Sequence, residues 1–195
     1  MDEGGAAPLV GAHGHCSLEL VNLALTGAAT SNAFDGGRDL GGGAALRGVC
    51  ARPRVGLLSL HEWYGYLEVG DNLKSPEAPV WVVAAESHFT TLFLAPSRAS
   101  GGSGGGGGDA WEAWAAARGR VAPPLVLGFY DGLSRQGGPI WLDVAPAPGR
   151  GWASRLEGAA DRGSWEGRPV PPLECVVETR WRDVAVGWRG SEPLL

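Results

Sequence analysis

The residues of this sequence best suited to proton transfer and nucleophilic attack are four histidines and three cysteines: His13, His15, His61 and His88, with Cys16, Cys50 and Cys175. Histidine titrates near neutral pH, so it can take a proton and return it. Cysteine attacks as the thiolate, a form favoured by a helix N-terminus or a neighbouring imidazolium. Acyl transfer built from the two also needs a third group that holds the imidazole in the right tautomer.

Position separates the histidines. His13 and His15 fall in or beside the small-residue stretch Met1 to Gly14, expected to be solvated and flexible. His61 lies among apolar residues in a predicted helix, where a structural or surface role is expected. His88 follows the Glu86-Ser87 turn and opens a predicted strand. A strand start at the rim of a sheet fixes an imidazole while leaving one side open, which suits a general base; the competing reading is a purely structural histidine. Asp131, in Phe129-Tyr130-Asp131-Gly132, ends a later predicted strand. If that strand lies beside the one opened by His88, Asp131 could orient the imidazole; otherwise Asp131-Gly132 is only a turn dipeptide. Among the thiols, Cys16 alone precedes a predicted helix. No oxyanion-hole feature lies near it, so the competing reading is a bystander thiol. Cys50 is placed in a loop and Cys175 in a strand, both poor positions for a nucleophile.

The elements that must position these groups are predicted from periodicity. Leu18, Val21 and Leu25 repeat at helical spacing, with Ser17 as N-cap and Gly27 as C-cap, and the run is apolar enough to predict a buried helix. Asp35 to Gly43 reads as a glycine-rich loop. Val55 to Val69 reads as a second helix interrupted by Gly65. Pro76 and Pro79 end what precedes them. Val80 to Val83 and Phe89 to Leu94 read as a hairpin turning at Ala84 to Ser87. Ser97 to Asp109 is a flexible insert; it lacks the G-K-[ST] ending of a phosphate loop, so that chemistry is excluded. Trp111 and Trp114 fall on a short helix. Leu125 to Tyr130 and Ile140 to Val144 read as paired strands, and Gly149 to Pro172 as loop. Glu174 to Trp181 and Val184 to Trp188 read as a last hairpin. Helices followed by mainly antiparallel strands define an α+β class with one core over residues 1–195.

Composition narrows the function. The formal net charge is -5, and Lys74 is the only lysine. Nucleic-acid binding needs a basic surface, so nucleic acid is not the expected partner. No run reaches the roughly 18 apolar residues of a membrane span, and Met1 to Val10 carries acids where a signal peptide carries bases. An odd number of cysteines without regular spacing argues against a disulfide framework, and no C-x-x-C pair supports a zinc site. No metal or cofactor is expected. The expected location is reducing and intracellular, cytoplasmic or nuclear.

Long blocks carry a resemblance. Cys16 to Leu23, Leu25 to Asp35, Val55 to Leu60, Val69-Gly70, Leu73 to Pro76, Pro79 to Val83, Glu86 to Thr90, Tyr130 to Leu133, Pro171 to Glu174 and Trp188 to Leu195 resemble the MINDY family of deubiquitinases, in the branch of its third and fourth members. The Tyr130-Asp131-Gly132 block and the closing tail are nearest the fourth. The resemblance covers most of 16–94 and 129–195 and implies the C-terminal part of a papain-like cysteine isopeptidase domain. It implies ubiquitin and polyubiquitin chains as partners, with a preference for lysine-forty-eight linkages. It places the catalytic histidine at His88. The family's nucleophilic cysteine and oxyanion-hole glutamine lie upstream of the matched blocks, and Cys16 matches a different family position. The chain is therefore expected to carry the base without the thiol, either as part of an active enzyme or as an inactive ubiquitin-binding or scaffold module. A papain-like half without its cysteine-bearing helix would expose apolar strand faces and is expected to aggregate. A diglycine substrate end would require a narrow cleft, for which Trp81 or Trp63 is the expected wall, and the arginine-bearing ubiquitin tail would favour nearby acids such as Glu86 or Glu62.

Overall fold

The structure is a computed structural model that describes residues 8–11, 13–96, 110–147, 171–190 and 195, with the backbone also described at 164–165 and 168–169. In chain order the elements are α1 (Leu18–Thr26), the ribbon β1 (Gly37–Gly41) and β2 (Ala44–Arg47), β3 (Gly56–Ser59), α2 (Leu60–Trp63), α3 (Asp71–Lys74), β4 (Val80–Ala85), β5 (His88–Leu94), α4 (Ala110–Ala116), β6 (Leu125–Tyr130), β7 (Ile140–Pro146), the two-residue strands β8 (Ser164–Trp165) and β9 (Arg168–Pro169), α5 (Pro172–Arg180) and β10 (Val184–Arg189). Six strands form one mixed sheet in the order β10-β7-β6-β5-β4-β3. Only β3 and β4 run parallel; every other neighbouring pair in this sheet is antiparallel. The fold is thus α+β, with one sheet and short helices.

Strand alternation divides the side chains between the two faces. Trp81, Val83, Leu92, Leu94, Leu127, Phe129, Leu142 and Val144 point to one face and are buried there under α5 and Trp114 of α4. Trp81 anchors this layer. Its ring meets Trp114 edge-on at 5.2 Å and Trp181 at 5.6 Å, and its indole N–H donates to the Lys74 carbonyl at 3.1 Å. The other face, at β3 and β4, packs Leu57, Val82 and Ala84 against Leu18, Val21 and Leu25 of α1. Leu57 and Leu58 are adjacent in sequence yet both buried, because β3 is covered on both faces.

Several expectations are met. Ser17 caps α1, its hydroxyl accepting from the Leu20 amide at 3.3 Å, and Gly27 closes the helix in the left-handed region at φ 78°. The β4–β5 hairpin turns at Glu86-Ser87, Trp111 and Trp114 lie on α4, and β6 pairs with β7.

Other expectations fail for definite reasons. The helix predicted over Val55 to Val69 is the strand β3 followed by the four-residue α2. Ser59 caps α2 through its hydroxyl, which accepts from the His61 amide at 3.2 Å. Gly56 belongs to a tight crossing, since a Cβ there would stand 2.1 Å from the Leu73 carbonyl oxygen. The strand predicted over Glu174 to Trp181 is the helix α5. Pro172 starts it, Glu174 and Arg180 lie in its first and last turns, and Leu173, Cys175, Val176, Val177, Glu178 and Thr179 are all buried. Burial on several sides erases helical periodicity, and the β-branched residues then mimic a strand. β10 pairs with β7 instead.

Asp35 to Gly43 is not simply a loop: most of it enters the exposed β1–β2 ribbon, whose turn uses the positive φ of Gly41, Gly42 and Gly43. α1 is not buried as a whole. Its apolar stripe is half-buried, Leu23 is 37% exposed, and its fully buried residue is Asn22, whose amide donates to the Thr30 and Asn32 carbonyls at 2.7 and 3.1 Å. The chain before α1 is tied back, the Ser17 amide donating to the Leu9 carbonyl at 3.0 Å. The insert over Ser97 to Asp109 lies outside the described residues, as does most of the predicted loop from Gly149.

Candidate functional site

β5 and β6 run antiparallel with Thr91 opposite Tyr130. One step further, Thr90 faces Asp131, and His88 stands diagonally across on the same face of the sheet. In this register the His88 Nε2 lies 3.2 Å from the Asp131 Oδ2. The Nδ1 edge of the ring meets no hydrogen-bond partner among the described residues. The His88 side chain is 29% exposed and that of Asp131 12%. The imidazole is thus held from behind and open in front.

Asp131 is fixed from three directions. Its Oδ1 accepts from the Leu133 amide at 2.8 Å, an Asx turn. Its own amide donates to the Gln136 Oε1 at 2.5 Å, and its carbonyl accepts from the Ser134 hydroxyl at 3.1 Å. The two readings of Asp131, turn residue and imidazole partner, describe the same side chain: one oxygen shapes the turn and the other faces His88. The Leu133 amide, and after it the His88 ring, hold the Asp131 carboxyl below the usual carboxylate range, against the opposing effect of burial. An ionised Asp131 accepts only, so Nε2 must carry a proton toward it, which leaves the Nδ1 lone pair as the basic site.

Thr90 completes this corner. It is 3% exposed, and its hydroxyl meets no hydrogen-bond partner among the described residues. Neither Thr90 nor Gln136 stood out in the sequence. The Asp-Gly-x-Ser turn signal could have found the Leu133 and Ser134 bonds, but nothing local marks a glutamine five residues beyond an aspartate as its partner.

The thiols lie elsewhere. Cys16 is exposed and lines a cavity of about 260 Å³ with Ser59, His61, Glu86 and Phe89. Phe89 points to the face opposite that of His88, so this cavity opens away from the imidazole. Cys50 is exposed, its thiol 3.8 Å from the Gly48 carbonyl oxygen. Cys175 sits in the first turns of α5, not in a strand, and is only 4% exposed. Among the described residues no exposed thiol shares the face of His88. His13 and His15 are exposed and His61 is half-buried.

The supposed cleft walls are core residues: Trp81 is 0% exposed and Trp63 9%. Glu62 is committed to Lys74 at 2.8 Å and to the Val69 amide at 3.1 Å. Glu86 is exposed in the turn before His88, with φ 53°. Among the described residues no group of His, Cys, Asp or Glu is arranged to hold a metal ion, and no helix is long and apolar enough to cross a membrane.

The structure thus pairs an imidazole with a carboxylate at one end of the sheet, and comparison with known proteins shows the family to which the chain belongs. Residues 1–190 match the model for the conserved domain of the deubiquitinating enzymes MINDY-3/4, and the chain belongs to that family. It is 39% identical over 192 residues to the Mus musculus protein named probable ubiquitin carboxyl-terminal hydrolase MINDY-4, a match covering 96% of this chain and 22% of that protein. The Homo sapiens MINDY-4 of the same name is 38% identical with the same coverage. The Homo sapiens ubiquitin carboxyl-terminal hydrolase MINDY-3 is 44% identical over 92 residues, 47% of this chain and 20% of that protein. The chain thus spans about a fifth of the length of these curated relatives. No solved structure matches it.

Proposed function

We propose that this domain is the base-bearing part of a cysteine isopeptidase that hydrolyses the bond following the ubiquitin C-terminus. The observation that carries the proposal is the 3.2 Å approach of His88 Nε2 to Asp131 Oδ2, which leaves Nδ1 open. His88 is then the catalytic base and Asp131 its positioning residue. Nδ1 removes the proton of a thiol, and the thiolate attacks the isopeptide carbonyl carbon. The imidazolium returns that proton to the lysine nitrogen as the carbon–nitrogen bond breaks, leaving a thioester. Water, deprotonated by the same Nδ1, attacks the thioester carbonyl carbon; the carbon–sulfur bond breaks, the carboxylate is freed and the imidazolium returns its proton to the departing thiolate. The thiol is proposed to come from polypeptide other than this domain, consistent with relatives several times its length. The arrangement is proposed to be papain-like, and polyubiquitin joined through lysine-forty-eight is the proposed substrate by family resemblance.

A second reading is a ubiquitin-binding module without turnover. It is favoured by the lack, among the described residues, of an exposed thiol on the His88 face. A ubiquitin probe with a C-terminal electrophile separates the components: this chain should bind it without covalent labelling, whereas labelling would place a competent thiol within the chain. In the full-length protein, His88→Ala should abolish chain cleavage, and unchanged cleavage would sink the leading reading.

A further inference from the structure

Asp131 stands just past the last rung of the β6–β7 ladder, which ends with Phe129 opposite Ile140. Two residues further on, the same register would set Asp131 opposite Gly138, where antiparallel strands exchange main-chain N–H···O=C bonds at alternate pairs. The ladder does not reach that far. The side chain of Gln136 takes the place of the missing rung: its Oε1 accepts from the Asp131 amide at 2.5 Å, and its Nε2 lies 3.5 Å from the Gly138 carbonyl oxygen. A primary amide carries an acceptor and a donor on one planar group, so it can bridge a main-chain donor and acceptor too far apart to bond each other.

The other bonds of Asp131 are local. The Leu133 amide donates to Oδ1 at 2.8 Å, and the Ser134 hydroxyl lies 3.1 Å from the Asp131 carbonyl oxygen. These two bonds fix the carboxylate relative to its own turn. Alone, they would let the turn and the carboxylate pivot together about Tyr130, the last residue of β6 paired with β5. The Gln136 bond acts differently. It pins the Asp131 N–H, one end of the axis about which that residue's φ turns, to the segment that enters β7. Ser134 supports the same group, since its hydroxyl also lies 3.2 Å from the Gln136 Oε1 and its one proton can serve either acceptor. The direction of the carboxylate is then set by the sheet and not by the turn alone.

The contact with His88 is sensitive to such a pivot. At 3.2 Å, Nε2 to Oδ2 is at the long end of an N–H···O bond, and a further displacement of about 0.5 Å would break it. With Oδ2 gone, nothing on this corner selects which ring nitrogen carries the proton.

We propose that Gln136 is a positioning residue of the His88–Asp131 pair: by completing the missing rung it aims the carboxylate at Nε2 and so fixes the tautomer that leaves Nδ1 basic. The consequence for turnover rests on the reading of His88 as the catalytic base; the consequence for the tautomer of the ring does not.

The test begins with the 195-residue chain and the ¹⁵N signals of the neutral His88 ring. The wild type should show the Nε2–H tautomer. Gln136→Met keeps the length of the side chain and removes the amide, so it should give a mixture of tautomers. Gln136→Glu restores an oxygen acceptor at the same reach and should return the Nε2–H form. A residue that merely braces the loop would lower Tm in both variants and leave the tautomer as it is. In the full-length protein, Gln136→Met should lower kcat by about tenfold or more with little change in KM, because misplacing a catalytic group costs rate and not binding. The proposal is overturned by a single Nε2–H tautomer in Gln136→Met, or by a Gln136→Glu protein as mixed as Gln136→Met. A measurement on the wild type keeps the proposal falsifiable if a variant fails to fold. The Asp131 nitrogen should show a scalar coupling across the hydrogen bond to the side-chain carbonyl carbon of Gln136. Its absence from a spectrum that shows the couplings of the β6–β7 ladder overturns the proposal as well. The two readings fail separately. Cleavage that survives His88→Ala removes the catalytic role of the pair, whatever its tautomer. An unchanged tautomer in Gln136→Met, with cleavage abolished by His88→Ala, removes the role of Gln136 alone.

Discussion

Replacing Thr90 by valine tests the corner behind His88 most directly. Thr90 is 3% exposed, and its hydroxyl meets no hydrogen-bond partner among the described residues. A buried hydroxyl without a partner costs roughly 1–3 kcal/mol by mutational measures. Valine keeps the shape and the β-branch and removes that oxygen, so Thr90→Val should stabilise the fold by about 1 kcal/mol, the low end of that range. For a domain of this size, that raises Tm by about 2–4 °C. Urea and thermal denaturation of the 195-residue chain supply the measurement, with an unchanged m-value showing that the same surface is exposed on unfolding. A loss of 1 kcal/mol or more would refute the reasoning, because it would mean that the hydroxyl donates a bond worth that amount. The sign has a functional consequence. A residue that costs stability beside an imidazole–carboxylate pair marks a place where the sequence favours the site over the core. If so, Thr90→Val in the full-length protein should combine a higher Tm with a lower kcat.

Four further outcomes follow from the structure. Asp131→Asn offers Nε2 a group that can either donate or accept, so the fixed tautomer should be lost; ¹⁵N spectra of the His88 ring should change from one neutral tautomer to a mixture, and full-length activity should fall by about 10²–10⁴. Asp35 accepts from the Asp71 and Asn72 amides at 2.9 and 3.0 Å and so caps α3, so Asp35→Ala should cost about 1–2 kcal/mol in denaturant titration. Gly70→Ala should be at least as damaging, since its new Cβ would meet the Asp35 carboxylate at 2.1 Å. The Asp131 carboxyl is depressed in the fold, so its contribution to stability is complete above its unfolded value near pH 4 and is lost as pH falls through its lower folded value. Asp131→Asn should therefore flatten the stability profile below about pH 4. An identical acid limb in both proteins would contradict the assignment.

Strong local patterns carried much of the architecture. The β4–β5 hairpin was legible because Val80 to Val83 and Phe89 to Leu94 are rich in apolar and β-branched residues around a polar turn, and that places His88 at a strand start. The caps Ser17 and Gly27 were legible for the same kind of reason: a side-chain acceptor begins the helix and a glycine without strain ends it. The failures fall where tertiary burial replaces local pattern. α5 is enclosed on so many sides that no polar stripe marks it as a helix, and Leu57-Leu58 is a strand buried on both faces rather than a turn of helix. The tryptophans looked like cleft walls because sequence gives their size but not their depth.

The sequence by itself determined the family, the α+β class and the strand that presents His88. Only the tertiary structure decided that Asp131 stands beside it, because the pairing of Thr91 with Tyr130 puts both side chains on one face. A slip of one residue would turn Asp131 to the other face. No local pattern encodes that register; it is set by the burial of Leu92, Leu94, Leu127 and Phe129 in a shared core.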